Sequence, residues 1–231
     1  MPTVSATPIC VNCGASANKL YTIYDKDVIK LADCVACGKT VDKYVEYDFV
    51  LVFIDLILQY SAAYRHVFIN TCYESYWRVI VVFTMFNAYN KWTEQKFAMH
   101  SDSKVVYELE WTFYKSLLES GIELVTYAVV AYLIAIYVFK YEIVNRQQFL
   151  SISLCGFYGN SLLVFSIIWL VHNQLQFVLA VHAFLFLSHV QVQRILCPRL
   201  NDFKNVCVVL LATLTQQGAG RLSRYFMNSF N

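Results

Sequence analysis

The pattern of apolar and polar positions changes character near residue 48. Before it, the short runs LYTIY (20–24) and VIKLA (28–32) flank an Asp25-Lys26-Asp27 turn. TVDKYVEYD (40–48) then alternates Val41, Lys43, Val45 and Tyr47 with Asp42, Tyr44, Glu46 and Asp48. Period-two alternation of this kind predicts strands, the last of them ending at 48. Beyond it the period becomes helical. Phe49, Val52, Phe53, Leu56 and Tyr60 form a stripe behind Asp48, a residue type that caps helices, while Asp55 and Gln59 take another face. The apolar part of 49–70 is too short to span a bilayer. It reads as helices lying on the membrane surface or packed beneath the front domain.

Farther on the apolar runs lengthen. A spanning helix needs about 20 mostly apolar residues. Segments 122–139 and 149–171 meet that condition, and 77–90 meets it with upstream residues recruited. Segment 177–193 is weaker because it contains His182 and His189, and the run at 206–214 is short and ambiguous. Between the runs, 91–121 is polar but carries Val106, Leu109, Phe113 and Leu117 at helical spacing, beside Trp111 and Tyr114. That predicts an interfacial helix near 105–119. The expected architecture is a multi-spanning α-helical membrane protein with a small N-terminal β-rich domain. Residues 1–48 form that domain, 49–76 the juxtamembrane amphipathic helices, and 77–231 a membrane domain of four or five spans.

Composition strengthens this picture. Hydrophobic residues make up 58% of the chain and charged residues 15%, against about 45–50% and about 25% in soluble domains. Lipid must take part of that apolar surface. The seventeen Phe and seventeen Tyr suit aromatic belts at the two interfaces. A net charge of +2 gives no reason to expect nucleic acid. The opening MPTVSATPIC has neither a basic nor an apolar signal region, so the front domain is expected in the cytosol. Basic residues agree: loops 140–148 and 194–205 hold Lys140, Arg146, Arg194, Arg199 and Lys204, and loop 172–176 holds none. The four lysines of 91–121 fall on the opposite side and count against this orientation, although five acidic residues accompany them.

The front domain carries CVNCG (10–14) and CVACG (34–38). Two Cys-x-x-Cys-Gly knuckles separated by a hairpin-length insert predict one tetrahedral four-cysteine metal site, a zinc ribbon. Each two-residue spacer lets both thiolates of a pair face one ion, and Gly14 and Gly38 can take the positive φ that turns backbone N–H groups toward sulfur. Zn2+ suits a structural clip because it has no redox cycle, while the spacing also accommodates a rubredoxin-like iron. A cytosolic location argues against two disulfides, and two symmetric knuckles argue against a thioredoxin-like site. Four ligands fall short of the eight that a RING needs. About 48 residues cannot build an adequate core alone, so metal binding would complete the fold.

The run from Cys10 to Asn70, with CVNCG, IKLADCVACG, DKYVEYD, FIDLIL and AYRHVFIN, resembles the Arv family. The resemblance implies an endoplasmic reticulum membrane protein of lipid homeostasis, associated with sterol movement, sphingolipid balance and glycosylphosphatidylinositol-anchor synthesis. It implies Cys10, Cys13, Cys34 and Cys37 as zinc ligands. It marks Asp55, Tyr64, Arg65, His66 and Asn70 as family-typical polar positions, candidates for lipid or partner contact. Expected partners are membrane lipids, sterol first, or enzymes of lipid or glycosylphosphatidylinositol synthesis.

Other features carry less. Arg65 and His66 suit recognition of a lipid phosphate or sterol hydroxyl, but Arg65 can equally reach the headgroups or pair with Asp55 or Glu74. His172, His182 and His189 are ionisable residues in or beside candidate spans, and a general base would be drawn from them. Ser151, Cys155 and Gly159, with Ser153, Gly156 and Asn160 nearby, form small-residue stripes that let helices approach in lipid. Glu108 and Glu110 point to different helical faces and read as a solvated patch. Neither a phosphate loop nor a Ser-His-Asp or HExxH arrangement occurs in the sequence, and the expectation is a protein that is not an enzyme.

Overall fold

The computed structural model describes residues 7–25, 28–71, 76–98, 106–143, 145–169 and 174–229. Cys72, Glu74 and His172 lie outside them. The chain divides into two compact units, Met1–Glu74 and Ser75–Asn231, so the helices after residue 48 share a unit with the cysteine knuckles.

In the first unit β1 (Tyr21–Asp25) pairs antiparallel with β2 (Val28–Leu31), Tyr21 opposite Leu31, with an irregularity between Ile23 and Asp25. The expected third strand does not form. Asp42 instead caps a 3-10 turn, Lys43–Glu46, by accepting the Tyr44 N–H at 3.0 Å. A side chain that bonds the backbone two residues on competes with strand pairing, and here it wins. α1 (Phe49–Ile57) and α2 (Ser61–Arg65) follow, α2 continuing as a π turn, His66–Asn70. Between them Gln59 adopts a φ of 61°. α1 buries Val52 and Leu56 but leaves Phe49, Val50, Ile54 and Ile57 exposed.

The second unit is helical. α3 spans Tyr76–Ala98 and α4 spans Val106–Leu133, the latter ending in a π turn, Ile134–Val138. The expected interfacial helix and the expected span at 122–139 are therefore one continuous helix. The acidic residues at their junction, Glu119 and Glu123, are paired inside the unit, so they do not interrupt the helix. α5 (Arg146–Cys155), a 3-10 turn (Gly156–Gly159) and α6 (Asn160–Ile168) take the place of one straight span. α7 (Leu175–Leu196) and α8 (Asp202–Ser229) complete the unit. Its core gathers Leu124, Tyr127, Ala131, Phe157, Val208 and Ala212. The small residues mark a close approach: a Cβ on Gly156 would lie 2.6 Å from His189 Nδ1, and one on Gly159 2.8 Å from a Leu185 methyl.

Among the described residues three helical segments are long and apolar enough to cross a membrane: Glu110–Val138, Arg146–Phe165 and Leu175–Leu196. That is fewer than the four or five expected, and α3 accounts for one of the differences. Its composition includes Arg78, Lys91, Glu94 and Lys96. Yet its exposed positions include Trp77, Val81, Val82, Met85 and Tyr89, while Asn90, Lys91 and Thr93 are buried. Part of its polar surface is buried and part of its apolar surface is exposed, so its mean hydropathy hides an apolar patch.

Candidate metal centre

The two knuckles have the same local build. Each is a small hairpin closed by an isolated bridge, Ile9 with Ser16 and Asp33 with Thr40. The Gly14 N–H donates to the Cys10 carbonyl at 2.8 Å, and the Gly38 N–H to the Cys34 carbonyl at 2.8 Å. Both glycines have positive φ, 78° and 70°, a conformation other residues adopt only with strain.

This repetition brings four sulfurs together. All lie within 4.8 Å of one another, with Cys10–Cys37 and Cys13–Cys34 separations of 3.7 Å. Sulfurs at about 2.3 Å around a tetrahedral ion stand about 3.8 Å apart, so the cluster is dimensioned for one ion. It is too open for disulfide bonds of about 2.05 Å. Burial opposes ionisation of Cys10, but N–H groups of Cys13 and Asn12 and the neighbouring thiols outweigh it and lower that thiol to about 7. The Lys39 N–H favours the Cys37 thiolate, yet burial and hydrogen bonds with the other three thiols raise it to about 11. A metal here would clamp residues 10–13 to residues 34–37.

The five polar candidates fall around this cluster. Arg65 Nη1 donates to the carbonyls of Val11 and Asn12 at 2.8 and 3.0 Å, holding the first knuckle from its backbone side. Asn70 grips Ile9 twice, accepting its N–H at 2.9 Å and donating to its carbonyl at 3.0 Å. His66 Nδ1 lies 2.8 Å from Asp42 Oδ2, which also accepts from Asn70 Nδ2 at 2.7 Å. Asp55 accepts from the Tyr44 hydroxyl at 2.7 Å, and burial together with that carboxylate pushes Tyr44 up. Tyr64 is fully buried and donates to Gln59 at 2.9 Å. These residues tie α1, α2 and the π turn to the cysteine cluster.

Asp42, at 0% exposure, is the hub of this network, and the sequence reading placed it only on a strand. Its signal was available: an acidic residue just past the second knuckle, in a domain holding Arg65, His66 and Asn70 for it to meet. The candidate histidines of the second unit do not form a catalytic pair. His182 is exposed and bonds the Val178 carbonyl on its own helix at 2.8 Å. His189 is buried between the rings of Tyr127 and Phe157, and neither ring nitrogen has a partner.

A model of the Arv1-like family matches residues 9–192, which run from the first knuckle through most of α7. The chain belongs to the Arv1-like family. The match extends well past the Cys10–Asn70 stretch in which the sequence itself showed a resemblance. Among curated relatives, Protein ARV1 of Bos taurus is 32% identical over 171 residues, covering 69% of this chain and 59% of that protein. The Protein arv1 homolog of Dictyostelium discoideum is 30% identical over 183 residues, covering 70% of this chain and 74% of its own length. Protein ARV1 of Saccharomyces cerevisiae is 53% identical, but over 62 residues only, 27% of this chain and 19% of that protein. The chain thus spans about three fifths of its mammalian Arv1 relatives (59% for the bovine and 61% for the human protein). No solved structure gives a significant match.

Proposed function

We propose that this chain is a membrane protein of lipid homeostasis in the endoplasmic reticulum, where it supports the movement of sterol and is not itself an enzyme. In this reading the first unit holds structural Zn2+ on the cytosolic face and the second unit contacts lipid. The observation that carries it is the apolar surface of the second unit. Only 28% of the apolar window of Glu110–Val138, and of Leu175–Leu196, is buried. Ile122, Val125, Val129 and Leu133 face outward along α4, a stripe that water would not tolerate and lipid would. Family membership supplies the link from membrane to lipid homeostasis.

A second reading makes the first unit a dock for enzymes of glycosylphosphatidylinositol synthesis. It is favoured by Val35, wholly exposed at the tip of the second knuckle, and by Ile23, Tyr24 and Val28 exposed on the hairpin. One experiment separates the two. Detergent-purified protein is photolabelled with a sterol probe, with unlabelled sterol as competitor, and the peptides are mapped. In parallel, partner recovery is compared between the parent chain and Val35→Asp. Saturable, competable labelling within the second unit is the expected result. Absence of competable labelling, with partners lost in Val35→Asp, overturns the sterol reading in favour of the dock.

A further inference from the structure

Within the second unit α3, α4 and α8 meet through charge. Glu119 is buried on α4 and accepts from Lys91 of α3 at 2.8 Å and from Arg224 of α8 at 2.8 and 3.1 Å. Lys91 also contacts Glu123 at 2.5 Å. A close approach makes room for this: a Cβ on Gly220 would collide with the Glu123 carboxylate. Beside the cluster lies a cleft of about 320 Å³. Its lining includes the polar Glu94, Glu123, Asn87 and Asn90, the cations Lys91 and Arg224, His182, and the apolar Phe157, Leu163, Leu185 and Phe186. His189 lines it too, 2% exposed and with both ring nitrogens unpartnered. A buried imidazole without a partner is costly unless a ligand or water completes it.

The charges decide which ligand fits. Glu94, Glu119 and Glu123 stand against Lys91 and Arg224, one negative charge in excess. Both cations are already paired with carboxylates, so the charge left over in the cluster is negative and opposes an anionic head. Acceptors are in supply: Asn87 and Asn90 donate through their Nδ2 atoms to Glu123 and Glu94, which leaves their amide oxygens to accept. The volume is at the lower end for ligand sites, enough for a head and its first carbons.

We propose that this cleft, bounded by Glu94, Glu123 and His189, binds the head of an amphipathic lipid that donates hydrogen bonds and carries no negative charge, an alcohol or a primary amine. The head lies against the carboxylates and His189, and the first carbons of the chain against Phe157, Leu163, Leu185 and Phe186. The inference rests on the reading of this unit as lipid-handling and adds a place and a head chemistry to it.

The test uses the full chain in phosphatidylcholine nanodiscs and a photoreactive C18 alcohol. Competitors are octadecanol, octadecylamine and octadecyl phosphate. Saturable labelling of peptides lining the cleft is expected, competed by the alcohol or the amine at concentrations at least tenfold below the phosphate. His189→Phe should lower labelling at least fivefold, and Glu94→Gln should weaken competition by the amine more than by the alcohol. Equal or better competition by the phosphate, or labelling indifferent to His189→Phe in folded protein, overturns the inference. If His189→Phe does not fold, Glu94→Gln decides, and unchanged amine competition overturns it. Sterol labelling elsewhere with no C18 labelling sinks this inference alone. C18 labelling of the cleft with no competable sterol labelling anywhere sinks the sterol reading alone.

Discussion

Arg65 read in the sequence as a candidate for headgroup contact and Asn70 as a family-typical polar position, and in the fold both brace a knuckle. Each satisfies main-chain groups that a short hairpin leaves open, and each sits more than fifty residues away from the backbone it holds. The guanidinium matters because its planar group fixes the one nitrogen, Nη1, that serves both carbonyls, which a lysine ammonium on its flexible stem does less well. Arg65→Lys should therefore keep the metal but lower the stability of the first unit by about 1–2 kcal/mol. Cys13→Ser should instead abolish tight metal binding, taking zinc from about one ion per chain to near none. Metal analysis of protein purified under reducing conditions, paired with chemical denaturation, checks both. Less than one metal per two chains in the parent protein would sink the metal site itself. The cysteine pairs were legible because their spacing is local. Asp42 left only a weak signal, its place just past the second knuckle, because two of its three partners, residues 66 and 70, reach it only on folding.

At the scale of elements, periodicity predicted most helices and misplaced their ends. Strand-like alternation at 40–48 gave way to a 3-10 turn because one buried carboxylate had a better use for the backbone. The break in the α5–α6 segment comes at Gly156 and Gly159, where two glycines let the chain come down on α7. A methyl group at 156 would press on the buried imidazole of His189, whose neighbours Tyr127 and Phe157 leave it little room to move. Gly156→Ala should destabilise the second unit by about 1–3 kcal/mol. Gly121→Ala, in the middle of α4 with open space around it, should be neutral or gain about 0.5–1 kcal/mol from helix propensity. Thermal unfolding of the two variants in detergent compares them, and equal effects would refute the packing argument.

On the scale of the whole molecule, the second unit buries charge among its helices. Lys91 of α3 and Arg224 of α8 meet Glu119, Lys91 also meets Glu123, and apolar residues such as Val81 and Val82 of α3 and Leu211 and Leu214 of α8 stay exposed. Lys91 is the centre of that arrangement. Lys91→Met should lower stability by about 3–5 kcal/mol, because it leaves Glu119 to Arg224 alone and Glu123, one helical turn away, without a cation. Adding Glu123→Gln should restore part of the loss. Guanidinium unfolding in micelles reads the difference, and full additivity of the two changes would rule out the coupling.

The sequence by itself determined the four-cysteine pattern, the long apolar helices and the likeness to the family, because each is written in local spacing, composition or motif. Only the tertiary structure decided what the remaining polar residues do. Glu119 read as part of a polar connector and Glu123 as one acid in an apolar span until α3 and α8 supplied Lys91 and Arg224, and His189 read as an ionisable residue in a weak span until a cleft opened beside it. A charge's role depends on what faces it, and in this fold the facing groups lie up to 105 residues away along the chain.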